Sequence, residues 1–394
     1  MVDEKVVKQA IADYQPEMWK FIETLVGIDS GADAPEGVEK ICHLIGAKLE
    51  PLGFKVTYIE SEGPMQIVAE RSRADKPKIF VFGHIDTVFA KGTAAARPFH
   101  MENGIAYGPG VMDMKSGIGL GVYTLKALIE NGYDDADLTV YFTGDEECNH
   151  PFSNSVEMME KYVAGRDVAF LMEPGRDDGS VIYGRKGAWR PVIKIKGIPT
   201  HSGNAFAEGA SAIWEMAHKT LDLFNLTRLD DGVTVNVGIV KGGTVPNIMA
   251  EDAECKLDTR FKTIADAEEL QKQVEAVCAH DYDPRTKTTL IKDVPGGFQP
   301  PYEVTPNGLK LLEYIQGEYK ALGYGELTAQ YVGGSSDAAY TTRAGVPTMC
   351  GMGPKSVGAH SNNEYAYVDS YIPRAELLAS CIMHIDKFIA MKKA

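Results

Sequence analysis

The sequence predicts an α/β protein with a mixed, mostly parallel sheet sandwiched by helices, into which a smaller α+β domain is inserted. Two observations support this prediction: helical and β-type segments alternate through the first half of the chain, and the rhythm changes after about residue 185. Alternation of this kind is typical of parallel strands joined by helical crossovers. A chain of 394 residues is long enough for two domains.

The first half supplies most of the predicted large sheet. Its apolar β-type runs are short and rich in β-branched and aromatic residues, which suits buried strands. Helical periodicity covers residues 6–26, 38–52, 116–131 and 155–163, and the strands are "KVTYIE", "QIVAE", "KIFVFG", "DLTVYFTG" and "VAFLMEP". The larger domain is therefore expected to begin at the N-terminus.

The inserted domain is predicted from a compact run of strands with only two helices, at residues 207–224 and 265–279. Proline and glycine then accumulate in "PGGFQPPYEVTPNG", which indicates a connection. Helical patterns at 309–321 and 372–391 then resume the organisation of the first half of the chain. The predicted boundaries are 1–186 and 297–394 for the discontinuous larger domain, and 187–296 for the insertion.

Composition excludes several classes of protein. With 44% hydrophobic and 24% charged residues, the chain resembles an ordinary globular protein, and its formal charge of -15 argues against binding nucleic acid or an anionic membrane. No stretch has the roughly 20 apolar residues of a membrane helix, and the N-terminus as written lacks a signal-peptide pattern. The six scattered cysteines favour reduced thiols and a cytoplasmic location.

The stretch "IFVFGHIDTVFA" places His84 and Asp86 at the end of a predicted buried strand. Residues i and i+2 of a strand point to the same side, so these two side chains are expected to lie together. A metal-bound imidazole commonly donates its second N–H to a carboxylate. Taken alone, such a pair is more often a histidine capped by a neighbouring turn aspartate.

Two further acidic stretches follow turn signals. "YGPGVMDMKSG" places Asp113 in a glycine-rich turn before a helix, where it is either a helix cap or a ligand that bridges two cations. "YFTGDEECNH" ends a strand with Asp145, Glu146 and Glu147, which repel one another unless a cation or a proton compensates. A solvated acidic turn is the alternative for this stretch.

"AFLMEPG" places Glu173 after another predicted strand, and "GAHSNNEYAYVD" places His360 in a loop before the last helix. Ligand sites of open α/β sheets gather at the carboxyl ends of the strands. Together these residues would form a two-metal site of nitrogen and oxygen ligands. Such a set suits zinc, with cobalt or manganese as substitutes.

These stretches, in this order, resemble the M20 family of co-catalytic zinc peptidases and deacylases, most closely its glutamate carboxypeptidase branch. The resemblance implies a cis peptide after Asp113 and two zinc ions that share this aspartate. It further implies that Asp86 orients His84 and that Glu146 is the general base. The implied ligands are His84, Asp113 and Glu173 for one ion, and Asp113, Glu147 and His360 for the other.

The inserted segment resembles the lid and dimerisation domain of the same family, which implies a homodimer and closure over the substrate. In "GIPTHSGNA", His201 is expected to stabilise the tetrahedral oxyanion across the dimer. Asn247 in "GGTVPNIMA" and Arg260 in "KLDTRF" are expected to bind the substrate, with Arg260 on a carboxylate. Gly333, Gly334 and Ser335 in "VGGSSDAAY" are expected at a helix N-terminus, whose free N–H groups can receive an anion.

The resemblance implies hydrolysis of an amide bond that releases a C-terminal amino acid, glutamate or similar, from a peptide or an N-acyl amino acid. Glu173 stands where aminopeptidase and dipeptidase relatives often carry aspartate. A second cationic clamp for a glutamate side chain is not evident, since Arg176, Arg185 and Lys186 are candidates by position only. The alternatives are an M20 deacetylase, desuccinylase or dipeptidase, and a non-catalytic amino-acid or peptide binding protein on the same fold.

Overall fold

The structure is a computed structural model that describes residues 2–60, 63–151 and 153–393. The chain divides into two compact units. Unit 1 comprises Met1–Gly184, Val304–Tyr331 and Ser336–Ala394, and unit 2 comprises Arg185–Glu303 and Val332–Ser335. The segment 187–296 that the sequence suggests as an insertion lies within unit 2, which also takes in residues from both of its flanks and a short loop.

The described part of the chain contains both helices and strands. The α-helices are α1 (Glu4–Asp13), α2 (Gln15–Val26), α3 (Pro35–Leu49), α4 (Thr93–Ala96), α5 (Lys115–Glu130), α6 (Ser155–Val163), α7 (Ala212–Phe224), α8 (Ile264–Ala279), α9 (Pro306–Ala321), α10 (Ala338–Arg343), α11 (Tyr371–Met383) and α12 (Ile385–Lys393). Single 3-10 turns cover Glu50–Leu52, Phe206–Glu208 and Val368–Ser370. Within the described ranges, none of the helices is both long and apolar enough to cross a membrane.

Most of the strands are short, whereas β11 and β12 have nine and ten residues. They are β1 (Lys55–Ile59), β2 (Gln66–Arg71), β3 (Lys78–His84), β4 (His100–Glu102), β5 (Ile105–Tyr107), β6 (Asp137–Thr143), β7 (Val168–Leu171), β8 (Val181–Arg185), β9 (Gly187–Trp189), β10 (Val192–Lys196), β11 (Thr234–Gly242), β12 (Asp252–Phe261), β13 (Lys287–Ile291), β14 (Phe298–Gln299), β15 (Ala329–Val332), β16 (Thr348–Met349), β17 (Ser356–Val357) and β18 (Tyr365–Tyr367).

The main sheet of unit 1 has six strands in the order β1-β2-β6-β3-β7-β16. Strands β6, β3, β7 and β16 run parallel, whereas β1 and β2 pair antiparallel at one edge. This confirms the predicted mixed, mostly parallel sheet. Because β3, β6 and β7 are parallel neighbours, the residues that follow them meet at one edge of the sheet.

Two of the predicted long helices are each interrupted by one residue. The first divides at Tyr14, because Pro16 lacks the N–H that a helix interior needs but fits the first turn of α2. The last divides at His384, whose backbone leaves the helical region and whose Nδ1 lies 2.7 Å from Oε2 of Glu318 on α9. Helical periodicity continued through both interruptions, so it predicted the helical faces correctly and the number of helices incorrectly.

Unit 2 is an α+β domain whose sheet has the order β13-β10-β12-β9-β14, with β11 paired to β12. Along β12, buried and less buried residues alternate, so one face packs on a core shared with α7 and α8. Helix α8 begins with a capping box in which Thr263 and Asp266 bind each other's backbone N–H. The second face of the sheet carries mostly charged side chains.

Candidate active site

His84 is the last residue of β3 and is almost completely buried. Its Nδ1 lies 3.0 Å from the carbonyl oxygen of Asp86 and 3.4 Å from that residue's Oδ1. A proton on Nδ1 is therefore held by Asp86, which leaves Nε2 as the free ligand atom. The strand end thus presents one nitrogen to the edge of the sheet.

Asp113 lies in the turn before α5, and the peptide bond that joins it to Met114 is cis. Its Oδ1 is 3.0 Å from Nε2 of His84, and its Oδ2 is 3.6 Å from Nε2 of His360. The two oxygens of one carboxylate therefore face two different histidines. This is the arrangement expected of a residue that bridges two cations.

Two groups of side chains, which share Asp113, converge on this carboxylate. His84, Asp113 and Glu173 form the first group, in which Oε1 of Glu173 is 3.6 Å from Nε2 of His84. Asp113, Glu147 and His360 form the second, in which Oε2 of Glu147 is 3.0 Å from Nε2 of His360. Within each group the potential ligand atoms lie within 4.8 Å of one another. We call these five residues the ligand cluster.

The charges of the ligand cluster fit a pair of divalent cations. Burial raises the pKa of Glu147, although a hydrogen bond from His360 opposes this, and the nearby charges of Asp113 and Asp86 raise it further. Hydrogen bonds to Asp113 and Glu147 raise the pKa of His360 to about 10. Carboxylates that crowd in this way need positive charge beside them. Imidazole nitrogens together with carboxylate oxygens form a ligand set that suits zinc.

Glu146 lies beside this cluster in the turn after β6. Burial is the main cause that raises its pKa well above the ordinary range, and the charges of Asp337, Glu173 and Glu147 add to the effect while His84 opposes it. A carboxyl group with a raised pKa can exchange a proton at neutral pH. This environment distinguishes Glu146 from an ordinary solvated glutamate.

Asp86 has a second role that the sequence did not reveal. Its Oδ1 accepts the backbone N–H of Glu146 at 3.1 Å, and its Oδ2 accepts that of Glu147 at 2.9 Å. Asp86 therefore holds Nδ1 of His84 through its carbonyl oxygen, with its carboxylate close by, and the same carboxylate fixes the turn that carries the two glutamates. No local pattern signals this contact, because the partners are about 60 residues apart in the chain.

A second histidine and carboxylate group was also missed. Nδ1 of His150 lies 2.8 Å from Oδ1 of Asp145, and its Nε2 lies 2.9 Å from Oδ1 of Asp337. All three side chains are buried. Asp145 and His150 stand near each other in the sequence, which is a partial signal, whereas nothing local points to Asp337. We call these three residues the closed cluster.

Glu364 is a further buried residue close to the site. Its Oε1 accepts the backbone N–H of Gly110 at 2.6 Å, and Nη2 of Arg97 lies 3.8 Å away. Burial raises the pKa of Glu364 to about 7. The side chain connects the loop of His360 to the glycine-rich turn that carries Asp113, so it supports two members of the ligand cluster.

Unit 2 brings His201 and Asn247 together, because Ser202 donates its backbone N–H to the carbonyl oxygen of Asn247 at 3.0 Å. Nδ1 of His201 accepts the backbone N–H groups of Gly203 and Asn204 at 3.1 and 3.2 Å. An acceptor at Nδ1 places the proton of a neutral imidazole on Nε2. His201 is thereby prepared to act as a hydrogen-bond donor.

Arg260 forms a two-point ion pair with Asp258, at 2.7 Å from Nε and 3.0 Å from Nη2, while its Nη1 lies 3.5 Å from the carbonyl oxygen of Gly333. Gly333, Gly334 and Ser335 belong to unit 2. The expectation that they begin a helix was wrong: α10 starts at Ala338 after the N-cap Asp337. Gly333 and Gly334 lie in the loop before this helix.

The family model described as "Peptidase family M20/M25/M40" matches residues 80–384. Carboxypeptidase G2 of Pseudomonas sp. (strain RS-16) is 31% identical over 383 residues, which cover 96% of this chain and 91% of the relative. Succinyl-diaminopimelate desuccinylase of Dechloromonas aromatica is 26% identical over 82% of this chain and 87% of the relative.

Solved structures show the same fold at lower identity. Aminopeptidase PepT of Bacillus cereus superposes with a TM-score of 0.77 at 18% identity, covering 98% of this chain and 99% of that one. The YXEP protein of Bacillus subtilis, described as a dinuclear metal-binding peptidase from the M20 family, gives a TM-score of 0.68 at 15% identity, covering 95% and 99%. The family match covers most of the chain and both halves of the ligand cluster. The chain therefore belongs to peptidase family M20/M25/M40 and is a hydrolase of the M20 type.

Proposed function

We propose that the protein is a two-zinc carboxypeptidase that releases a C-terminal amino acid, glutamate or a similar residue, from a peptide or an N-acyl amino acid. The observation that carries the proposal is the pair of ligand groups that share Asp113. The likeness to carboxypeptidase G2 over 96% of the chain supports the choice of a carboxypeptidase within the family.

His84, Asp113 and Glu173 would hold one ion, and Asp113, Glu147 and His360 the other. When bound, the two ions would polarise the amide carbonyl and lower the pKa of a bound water toward about 7. Zinc is the metal we propose, with cobalt or manganese as substitutes. The mixture of imidazole and carboxylate ligands supports this choice.

Glu146 is the proposed general base. Its carboxylate would take a proton from the attacking water and then pass that proton to the leaving nitrogen. The raised pKa of its carboxyl group supports both steps, because a weak acid accepts a proton more readily and holds it until the amide bond breaks. Asp86 would act as a positioning residue, since it binds the backbone of the turn that carries Glu146.

His201, Asn247 and Arg260 are the proposed substrate-binding residues of unit 2, together with the loop Gly333, Gly334 and Ser335. The backbone donors on Nδ1 of His201 support a role as oxyanion donor, because they leave the proton on Nε2. For Arg260, Nη1 remains directed away from Asp258, which supports binding of a substrate carboxylate.

A second candidate function is removal of a succinyl or another acyl group from an amino-acid metabolite. The likeness to succinyl-diaminopimelate desuccinylase over 82% of the chain favours it over other M20 reactions. The two candidates use the same metal groups and the same general base. They differ in which side of the amide carries the groups that the enzyme recognises.

We also propose that the protein forms a homodimer through unit 2 and works in the cytoplasm. Apolar side chains exposed on α7, including Ile213, Leu221 and Phe224, support an interface there. The six cysteines form no disulfide, which supports a reducing compartment. Sedimentation that finds only an active monomer at working concentration would rule out the dimer.

The test is hydrolysis of a panel of N-acyl and peptidyl amino acids with C-terminal glutamate, aspartate, alanine or leucine, together with succinyl-diaminopimelate. Metal-stripped protein is assayed before and after zinc is restored. Zinc-dependent release of a C-terminal acidic residue is the expected result. Cleavage confined to the succinyl substrate would favour the second candidate, and no cleavage after full metal loading would contradict both.

A further inference from the structure

The sheet of unit 2 has one face that does not pack on the core. Along β12, Leu257, Thr259 and Phe261 are buried, whereas Asp258 and Arg260 are partly exposed between them. Because side chains alternate along a strand, these two residues and the next in phase, Lys262, point to the opposite face. We call this side of the sheet the open face.

Where β10 pairs with β12, oppositely charged side chains of the open face stand across from each other. Lys194 stands opposite Glu254, with Nζ and Oε2 3.4 Å apart, and Lys196 stands opposite Asp252, with Nζ and Oδ1 3.0 Å apart. Cross-strand pairs of opposite charge stabilise a sheet, and like charges in the same position destabilise it. This part of the face therefore neutralises its own charge.

The matching of charges fails where β12 meets β9. The register places Arg260 opposite Ala188 and Phe261 opposite Gly187, and both strands end there. Continued by one residue, the same register would bring Lys262 opposite Lys186, and the charge of Lys262 does act on Lys186. Among the described residues, no carboxylate forms an ion pair with either lysine. Two ammonium groups and a guanidinium thus share one end of the open face, in a chain whose formal charge is -15.

Asp258, the open-face carboxylate that follows Leu257 along β12, is already used. Asp258 binds Arg260 at two points, and its Oδ2 is also 3.0 Å from Nε of Arg190. Burial lowers the pKa of Lys186, and the positive charges of Lys262 and Arg260 lower it further. An anion bound among Lys186, Arg260 and Lys262, which we call the cation cluster, would relieve this repulsion.

The main chain at Lys186 is held firmly. Its N–H donates to the carbonyl oxygen of Val332 at 3.1 Å, and its carbonyl oxygen accepts the hydroxyl of Ser335 at 3.1 Å. Arg185, by comparison, directs Nη1 at the carbonyl oxygens of Gly334 and Ser335. Among the described residues, the ammonium group of Lys186 forms no ion pair, as is also true of Lys262.

We infer that the cation cluster is a specificity subsite in which Lys186 and Lys262 bind the side-chain carboxylate of an acidic released amino acid, while Arg260 binds its α-carboxylate. This inference rests on the proposed carboxypeptidase function. It adds the second cationic clamp that the sequence alone did not reveal. It also assigns the preference for an acidic residue to unit 2.

The kinetic test compares two substrates that differ only in a C-terminal glutamate or glutamine, because these side chains have nearly the same shape and different charge. For Lys186→Met and for Lys262→Met, the ratio of kcat/KM for glutamate over glutamine is expected to fall about tenfold, through KM. Lys186→Arg is expected to restore most of the ratio. Lys194→Met, which removes a cation of the same face that has a partner, is the matched control.

A binding test separates this inference from the proposed function. The full-length protein is titrated with glutarate and with butyrate by calorimetry, in the absence of any cleavable substrate. Glutarate is expected to bind the wild type and the Lys194→Met variant alike, and about tenfold more weakly to the Lys186→Met and Lys262→Met variants. If all four proteins bind glutarate equally, or the glutamate-to-glutamine ratio does not move, the subsite is wrong. If binding follows the expectation while no panel substrate is cleaved, the subsite stands and the carboxypeptidase function does not.

Discussion

Unit 1 contains two groups of histidine and carboxylate side chains that start from the same turn after β6. In the closed cluster, both ring nitrogens of His150 have a carboxylate partner, at 2.8 and 2.9 Å, and every member is buried. In the ligand cluster, three carboxylates meet two histidines, and the side chain of His360 is 57% exposed. The same residue types therefore form an internal ion pair in one place and an accessible ligand set in the other.

The charge of each cluster explains the difference. Burial alone would lower the pKa of His150, but Asp337 and Asp145 raise it well above the ordinary value, which favours a protonated imidazole between the two carboxylates of the closed cluster. It has no need of a further cation. The ligand cluster keeps one carboxylate more than its histidines can neutralise when both are charged. The unbalanced, accessible charge of the ligand cluster, rather than its residue types alone, is what favours a cation there.

The largest effect is expected from substitution of Glu146, which belongs to neither cluster. Glu146→Ala should lower kcat by a factor of about 10²–10⁴, because the variant lacks the group that accepts the proton, while two metal ions still bind. Turnover and metal content by plasma mass spectrometry are the measurements. Glu157→Ala, at an exposed glutamate of α6, is the control, and an unchanged kcat in Glu146→Ala would remove that residue from the role of base.

The closed cluster is expected to support stability rather than chemistry. His150→Gln should lower the free energy of unfolding by about 3 kcal/mol, because it leaves two buried carboxylates without their cation. Metal content should not change. The exposed pair of His43 and Glu39, with Nε2 and Oε1 3.9 Å apart, provides the control His43→Gln, for which a change below about 0.5 kcal/mol is expected.

The pH dependence of the stability of the His150→Gln variant tests the charge of the closed cluster. A raised histidine pKa adds stability that is complete below the unfolded value of about 6.5 and declines as the pH rises toward the folded value. Asp145, whose pKa the hydrogen bond from His150 lowers to about 2 against the effect of burial, adds stability that is lost as the pH falls below about 4. The deficit of His150→Gln should be greatest between about pH 4 and 6.5. A deficit that grows toward pH 9 would contradict the assignment.

The smallest effect is expected from substitution of Asp86, which lies beside His84 and binds the backbone of Glu146 and Glu147. Asp86→Asn should weaken metal binding by a factor of about 10–100, because second-sphere carboxylates orient the ligands. Competition with a chelating dye measures the affinity. Asp337→Asn, which alters the closed cluster, should leave metal affinity unchanged but lower stability, and equal losses of affinity in both variants would show that the two clusters are not independent.

Much of the fold and of the ligand cluster could be predicted from the sequence for a physical reason. Parallel strands end at a common edge, so polar residues that follow apolar runs, such as His84 and Glu173, are expected to meet. The positions of Asp113 and His360 depended on the family resemblance, because their loops have no periodicity. Sequence similarity to carboxypeptidase G2 covers 96% of the chain.

The contacts that could not be predicted join residues far apart in the chain. His150 and Asp337 are 187 residues apart, and Gly110 and Glu364 are 254 apart. Hydrophobic periodicity predicts which way a side chain faces, but not which distant side chain it meets. The proximity of Lys186 to Arg260 and Lys262 was hidden for the same reason, because it depends on how two strands of unit 2 pair.

The ligand cluster is proposed to hold two metal ions that turnover requires. The most direct measurement is a zinc titration of metal-stripped protein, followed by the rate of release of C-terminal glutamate and by calorimetry. Activity that rises to saturation at two zinc ions per chain in the wild type, with both binding events impaired in Asp113→Asn, is the predicted result. Saturation at one ion, or full activity in the Asp113→Asn variant, would contradict a shared aspartate at the centre of the site.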